Sequence, residues 1–143
     1  MKKQVIITGA NGGIGSALCK AYFKNDFEVI ALDKQPAIEH GYGHQYISID
    51  SNAYASSEEY RDNANIKLKS LNPSILINNA ATQLLGNFES FEDKSWITSM
   101  NVNFHSCYFF IQAFYASLSA NVGQVINIGS IHAAQTKPRF FAY

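Results

Sequence analysis

The sequence predicts an α/β fold, a doubly wound parallel sheet, on three observations. Short apolar runs alternate with stretches of helical spacing along the whole chain, and strands that alternate with helices make right-handed crossovers covering a parallel sheet on both faces. The first apolar run passes directly into a glycine-rich turn, Thr8-Gly9-Ala10-Asn11-Gly12-Gly13-Ile14-Gly15, that opens a helix. The next two runs each end on an acid, Asp33 and Asp50.

Taken in order, Val5-Ile6-Ile7 reads as a buried parallel strand, because it is apolar on both alternating faces. Ile14 to Lys24 carries apolar residues at Ile14, Leu18, Ala21 and Tyr22, which is helical spacing. Phe27 to Leu32 is a second strand ending at Asp33, and Gln45 to Ile49 a third ending at Asp50. Tyr54 to Ser70 is expected as a polar-faced helix. Pro73 precedes a fourth strand, Ser74 to Ile77, that runs into Asn78-Asn79-Ala80-Ala81, and Thr82 to Glu92 reads as irregular. Phe91 to about Ala120 is mostly helical, with Asn101 and Asn103 as weak helix formers in its middle and an expected apolar face of Phe104, Tyr108, Ile111 and Tyr115. Val125 to Ile128 is the fifth strand. With no repeat, low-complexity tract or interdomain linker, residues 1–143 read as a single domain.

Composition bounds the function. A chain of 143 residues with 47% hydrophobic and 15% charged residues can bury a core and has the balance of a globular protein. Eleven basic and eleven acidic residues cancel, so no basic stripe exists to attract nucleic acid or an anionic membrane. The aliphatic run near the start is too short for a signal-peptide core or a membrane span, and a cytoplasmic location is expected. Cys19 and Cys107 form no Cys-x-x-Cys pair, so no zinc or redox motif and no metal site is expected, and each is read as a buried helix residue.

The residues that carry chemistry fall at the strand ends. Glycines at 9, 12, 13 and 15 allow a tight turn and close approach of the backbone to a pyrophosphate, with free N–H groups supplied by the helix N-terminus. The literal Gly-x-Gly-x-x-Gly fingerprint is absent. What stands in its place resembles the Thr-Gly-x-x-x-Gly-x-Gly turn of the short-chain dehydrogenase/reductase family. The same glycines also satisfy the Thr-Gly-x-x-Gly-x-x-Gly of the extended relatives that include sugar epimerases, so the turn alone does not separate the branches. Asn78-Asn79-Ala80-Ala81 resembles the family's Asn-Asn-Ala-Gly, and Ser130 followed at a short interval by Tyr143 resembles the catalytic pair of the reductase branch rather than that of the epimerase branch.

The resemblance implies a Rossmann-like sheet in the order 3-2-1-4-5 and a nicotinamide cofactor. Gly9, Asn11, Gly13, Ile14 and Gly15 would hold its pyrophosphate. Asp33 would accept hydrogen bonds from the adenosine ribose and repel a 2′-phosphate, favouring NAD over NADP, with Lys34 beside it softening the repulsion; the other reading of Asp33 is a solvated loop acid. Asp50, with Ser51 next to it, is read either as the acceptor of the adenine amino group or as a helix N-cap. Asn79 would brace the central strands while Ala80 and Ala81 let the ribose approach. Ala81 stands where the family has glycine, a mild change unless the position needs positive φ. In the catalytic half, Tyr143 would exchange the proton with the substrate oxygen, Ser130 would hydrogen-bond the same oxygen, and Asn103 would hold a water in the proton relay. His132, Lys137 and Arg139 are read as loop residues.

The family's lysine, four positions past the tyrosine, falls outside this sequence. A lone phenol ionises near pH ~10, and a cationic neighbour is what brings such a hydroxyl into a useful range. The chain is therefore expected to be truncated after the fifth strand and inactive by itself. It would lack the sixth and seventh strands, the helix many members use to form homo-oligomers, and the loop that closes over substrate. An open edge at Val125, Ile126 and Ile128 should then favour self-association. The parent activity implied is NAD-dependent oxidoreduction of a small carbonyl or secondary alcohol. A non-catalytic dinucleotide-binding remnant is the rival, and a sugar-nucleotide epimerase the third reading.

Overall fold

A computed structural model describes residues 2–35 and 45–143. Its elements are β1 (Gln4–Thr8), α1 (Gly13–Lys24), β2 (Glu28–Asp33), β3 (Gln45–Ser48), α2 (Ser51–Ser56), α3 (Glu58–Leu68), β4 (Pro73–Asn78), α4 (Asp93–Met100), α5 (Ser106–Ala120) and β5 (Gln124–Asn127). The strands form one parallel sheet in the order β3-β2-β1-β4-β5, the expected order.

Central strands read as continuous apolar runs because both of their faces are covered. Ile6, Ile30, Leu32 and Leu76 point to one side, where they meet Tyr54, Phe110, Phe114 and Leu118 from the helices. Val5, Ile7, Val29, Ala31 and Ile77 point to the other, against Cys19 of α1. Tyr54 stacks on Phe110 with ring centroids 4.3 Å apart, and its hydroxyl donates to Asn65 Oδ1 at 2.7 Å. β5 forms one edge of the sheet, with Val125 and Ile128 each 40% exposed.

Two expectations are corrected. The helix read as Tyr54 to Ser70 is two helices, broken at Ser57, where the backbone is extended (φ −121°) and the side chain caps α3 by accepting from the Tyr60 N–H. In α5 the buried stripe is Phe110, Phe114 and Leu118; of the expected face Ile111 packs half-buried against the core, while Tyr108, Tyr115 and Phe104, in the turn before the helix, are exposed. This segment is apolar on two adjacent stripes about a quarter turn apart, so periodicity alone does not mark which is the inner one, and contact with the sheet decides. The irregularity expected around Asn101 and Asn103 is real: Asn101–His105 is a widened, π-helical turn joining α4 to α5. No helix among the described residues is long and apolar enough to cross a membrane.

Candidate functional site

The candidate residues gather at the carboxyl ends of the strands. There β1 leads leftward to β2 while β4 continues to the right, and this reversal of strand order opens a crevice. The glycine turn shapes one side of it. Gly9 has φ +64°, and a Cβ there would sit 2.8 Å from the Ala80 Cα. A Cβ on Gly15 would sit 2.0 Å from the Gly9 carbonyl oxygen, which also restrains Gly12 at 3.3 Å. Gly13 is different, since a Cβ there meets nothing within 4 Å. Gly9 and Gly15 are thus required by the fold, whereas Gly13 leaves space on the outer side of the turn. Gly12 caps α1 without a side-chain hydrogen bond, so the first-turn N–H groups and the positive end of the helix dipole face that space, beside the exposed Ile14. An anionic pyrophosphate fits this cradle.

The turn is locked to β4 from beneath. Thr8 Oγ1 accepts from the backbone N–H groups of Asn79 (3.0 Å) and Ala80 (2.9 Å), and Asn79 Nδ2 donates to the carbonyls of Thr8 (2.9 Å) and Gly9 (3.1 Å). Asn78 Nδ2 donates to Asn127 Oδ1 at 2.8 Å, tying β4 to β5. Ala81 is not among the non-glycine residues with positive φ, which are Asp26, Val122 and Arg139, so alanine in place of the family's glycine costs no backbone strain.

Beyond the turn lies a cavity of about 220 Å³ whose walls include Gly9, Asp33, Lys34, Asp50, Ser51, Ala80 and Ala81. Asp33 Oδ2 accepts from the Asn11 N–H and Oδ1 from the Gln35 N–H, both at 3.0 Å. Of the two alternatives for Asp50 the helix cap is present, its Oδ1 accepting from the N–H groups of Asn52 (2.8 Å) and Ala53 (3.2 Å) at the start of α2, and the residue also lines the cavity.

A second cavity of about 480 Å³ brings together Asn103, Ser130 and Tyr143 and again includes Ala80 and Ala81. The two alanines are therefore a wall common to both cavities, which lie side by side between Asp33 and Tyr143. Ser130 Oγ accepts from the His132 N–H at 3.2 Å. Asn103 Oδ1 accepts from the Thr82 N–H (2.8 Å), while its Nδ2 donates to the Thr82 carbonyl (3.0 Å) and to Ser99 Oγ (3.2 Å). Ser99, 1% exposed, in turn donates to the carbonyl of Ala142. A single network thus fixes the cavity wall at Thr82 and the residue preceding Tyr143. Ser99 and Thr8 brace the walls of the candidate site, a part that motif reading did not assign to them. Thr8 was visible as the head of the glycine turn, and Ser99 as the residue one helical turn before Asn103, but the return of Ala142 to it has no local signal.

No residue lining the second cavity is charged. His132 packs on Phe140 with ring centroids 4.4 Å apart, Lys137 lies 4.3 Å over the same ring, and neither these nor Arg139 line either cavity. Cys107 does, and burial pushes its thiol pKa up. Among the described residues no three His, Cys, Asp or Glu side chains come together in a way that could hold a metal ion.

The family model described as short chain dehydrogenase matches residues 3–143. The chain is 28% identical to a probable galactose dehydrogenase of Rhizobium meliloti over 97% of its own length and 58% of that protein's. It is 30% identical to an uncharacterised oxidoreductase of Schizosaccharomyces pombe over 97% of its length and 48% of that protein's. It therefore spans about half the length of the curated relatives it matches. Among solved structures, a short chain dehydrogenase from Leptospira borgpetersenii with bound NAD+ is similar at 26% identity and a TM-score of 0.82, covering 96% of this chain and 55% of that one. A 4-hydroxyisoleucine dehydrogenase mutant complexed with NADH and succinate is similar at 26% identity and a TM-score of 0.84, covering 99% and 60%.

Proposed function

Since the chain belongs to the short-chain dehydrogenase family, we propose that it forms the dinucleotide-binding and proton-transfer portion of an oxidoreductase acting on a small carbonyl or secondary alcohol. The observation that carries this reading is the shared Ala80–Ala81 wall, which makes the cavity of Asp33 and the cavity of Ser130 and Tyr143 neighbours. A nicotinamide cofactor bound there would supply or accept the hydride.

The protein's part is orientation and proton transfer. Because Ser130 Oγ already accepts a hydrogen bond, its own O–H is directed to donate, and a substrate oxygen in the cavity is the group it would orient. Tyr143 would give its proton to that oxygen in reduction and take it back in oxidation. The amide of Asn103 is spent on Thr82 and Ser99, so a part in a proton relay falls to its main-chain carbonyl. At the other end, Asp33 uses two acceptor positions on Asn11 and Gln35, and a carboxylate has about four; the remainder suit ribose hydroxyls and repel a 2′-phosphate, which favours NAD over NADP.

Calorimetric titration with both dinucleotides tests the binding half. NAD should bind more tightly, and Asp33→Ala should narrow the difference by about tenfold, roughly the worth of one charge-assisted hydrogen bond. Equal or tighter NADP binding by the wild type would remove Asp33 from this role. In the longest natural form of the protein, Tyr143→Phe should lower turnover by about 100-fold or more while leaving NAD affinity unchanged. A second reading, dinucleotide binding without turnover, needs only the Gly9–Gly15 turn and the cavity of Asp33. NAD binding combined with no Tyr143-dependent turnover would establish that alternative.

A further inference from the structure

Tyr46 stands at the adenosine end of the candidate site and belongs to none of the motifs used above. β2 and β3 pair with Ala31 opposite Tyr46 and Asp33 opposite Ser48. Side chains alternate along a strand, so Asp33 points to the same side as Val29 and Ala31, and Tyr46 packs half-buried against that cluster. Its hydroxyl lies 3.0 Å from the Asp33 carbonyl, which the Ile49 N–H already holds at 2.9 Å. The phenol gives that carbonyl a second hydrogen bond and anchors the main chain of Asp33. It also reaches the carbonyl of Gln35 and the side chain of Asn11. These are the two residues whose N–H groups hold the two oxygens of the Asp33 carboxylate. One hydroxyl thus touches both arms of the clamp that aims the acid.

We propose that Tyr46 is a positioning residue for recognition of the adenosine ribose: through Asn11 and Gln35 it fixes the Asp33 carboxylate towards the cavity, and so sets the preference for a dinucleotide with a free 2′-hydroxyl over a 2′-phosphorylated one. The inference rests on the dinucleotide reading above. A clamp of this kind requires a phenol that stays protonated, and burial, followed by the charge of Asp33, raises the Tyr46 pKa above the ordinary tyrosine value. The hydroxyl therefore remains a donor throughout the neutral range.

Tyr46→Phe keeps the ring and removes the hydroxyl. NAD and NADP are titrated calorimetrically into the wild type, Tyr46→Phe, Asp33→Ala and the double variant. The ratio of NAD to NADP affinity should fall by about tenfold in Tyr46→Phe, the worth of one hydrogen bond's discrimination, and should fall no further when Tyr46→Phe is added to Asp33→Ala. Equal weakening of both dinucleotides in Tyr46→Phe, or the same shift in the absence of Asp33, would mean a merely structural role and would overturn the proposal. If Tyr46→Phe lacks native circular dichroism, Asn11→Ala removes the phenol's other contact and carries the same comparison; an unchanged ratio there is equally fatal. A wild type that binds neither dinucleotide overturns the dinucleotide reading and this inference together. A wild-type NAD preference that survives intact in Tyr46→Phe overturns this inference alone.

Discussion

Gly9, Gly13 and Gly15 lie within one short turn, yet their surroundings demand glycine for different reasons. Alanine at Gly9 would meet both a positive φ and the Ala80 backbone, and alanine at Gly15 would drive into the Gly9 carbonyl. Overpacking against backbone costs about 1–3 kcal/mol or more, so Gly9→Ala and Gly15→Ala should each lower stability in urea unfolding by at least about 2 kcal/mol. Gly13→Ala enters open space and should change stability by less than about 0.5 kcal/mol. It should still weaken NAD binding by about tenfold or more, because the methyl would occupy the side of the turn where the pyrophosphate approaches. If Gly13→Ala bound NAD as the wild type does, the cradle would lie elsewhere. The residue scale is also where the sequence was read most fully. The glycines, Asp33, Asn79, Ser130 and Tyr143 lie in contiguous motifs or at strand ends, and all come to the crevice side of the sheet. Ser99 and Tyr46 escaped notice because their roles depend on Ala142 and on the Gln35 carbonyl, partners that only the fold brings to them.

At the scale of elements, the end of α5 shows how composition misleads about geometry. Gly123 looks like the residue that closes the helix in a left-handed conformation. Instead Val122 takes φ +49°, with its N–H on the Ser119 carbonyl (3.2 Å) and the Gly123 N–H on the Leu118 carbonyl (2.7 Å), the pattern of a Schellman closure. Gly123 serves close packing, since a Cβ there would sit 2.5 Å from the Ser74 carbonyl oxygen of β4. A β-branched residue in the left-handed region costs about 1–2 kcal/mol, and Val122 is 93% exposed, so little packing offsets the strain. Val122→Gly should therefore raise stability by about 1 kcal/mol with an unchanged denaturant slope; a lower midpoint would show that the valine is not strained. The strands were legible because a chain buried on both faces has to be apolar at consecutive positions. The inner face of α5 was not, because Tyr108, Ile111 and Tyr115 make a stripe of large side chains beside that of Phe110, Phe114 and Leu118. The break at Ser57 was recoverable, for a serine followed by Glu58 and Glu59 is a helix-start signal.

Across the whole molecule, the sheet separates two apolar clusters, and each has a titratable group at its centre that has to stay neutral. Cys19, 1% exposed on the α1 side, has its thiol pKa pushed by burial from 9.0 to about 11, its own backbone hydrogen bond opposing. Tyr54, fully buried on the opposite side, is pushed by burial from 10.0 to about 12, with Arg61 pulling the other way. Both folded-state values lie above the unfolded ones, so their contribution is complete below pH 9 and is lost as pH rises, because the unfolded chain releases each proton first. Each group can lower stability by up to about 1.4 kcal/mol per pH unit within its window. Cys107, raised by burial as well, acts in the same direction. Urea midpoints should therefore hold steady through the neutral range, decline from about pH 9 and fall more steeply above pH 10 as the tyrosine joins. Cys19→Ala should delay the onset, and Tyr54→Phe should flatten the steeper part. The two effects should add, because the sheet keeps the groups out of contact. Midpoints that stay level from pH 8 to pH 11, or that decline identically in both variants, would mean that neither cluster excludes water as its burial implies.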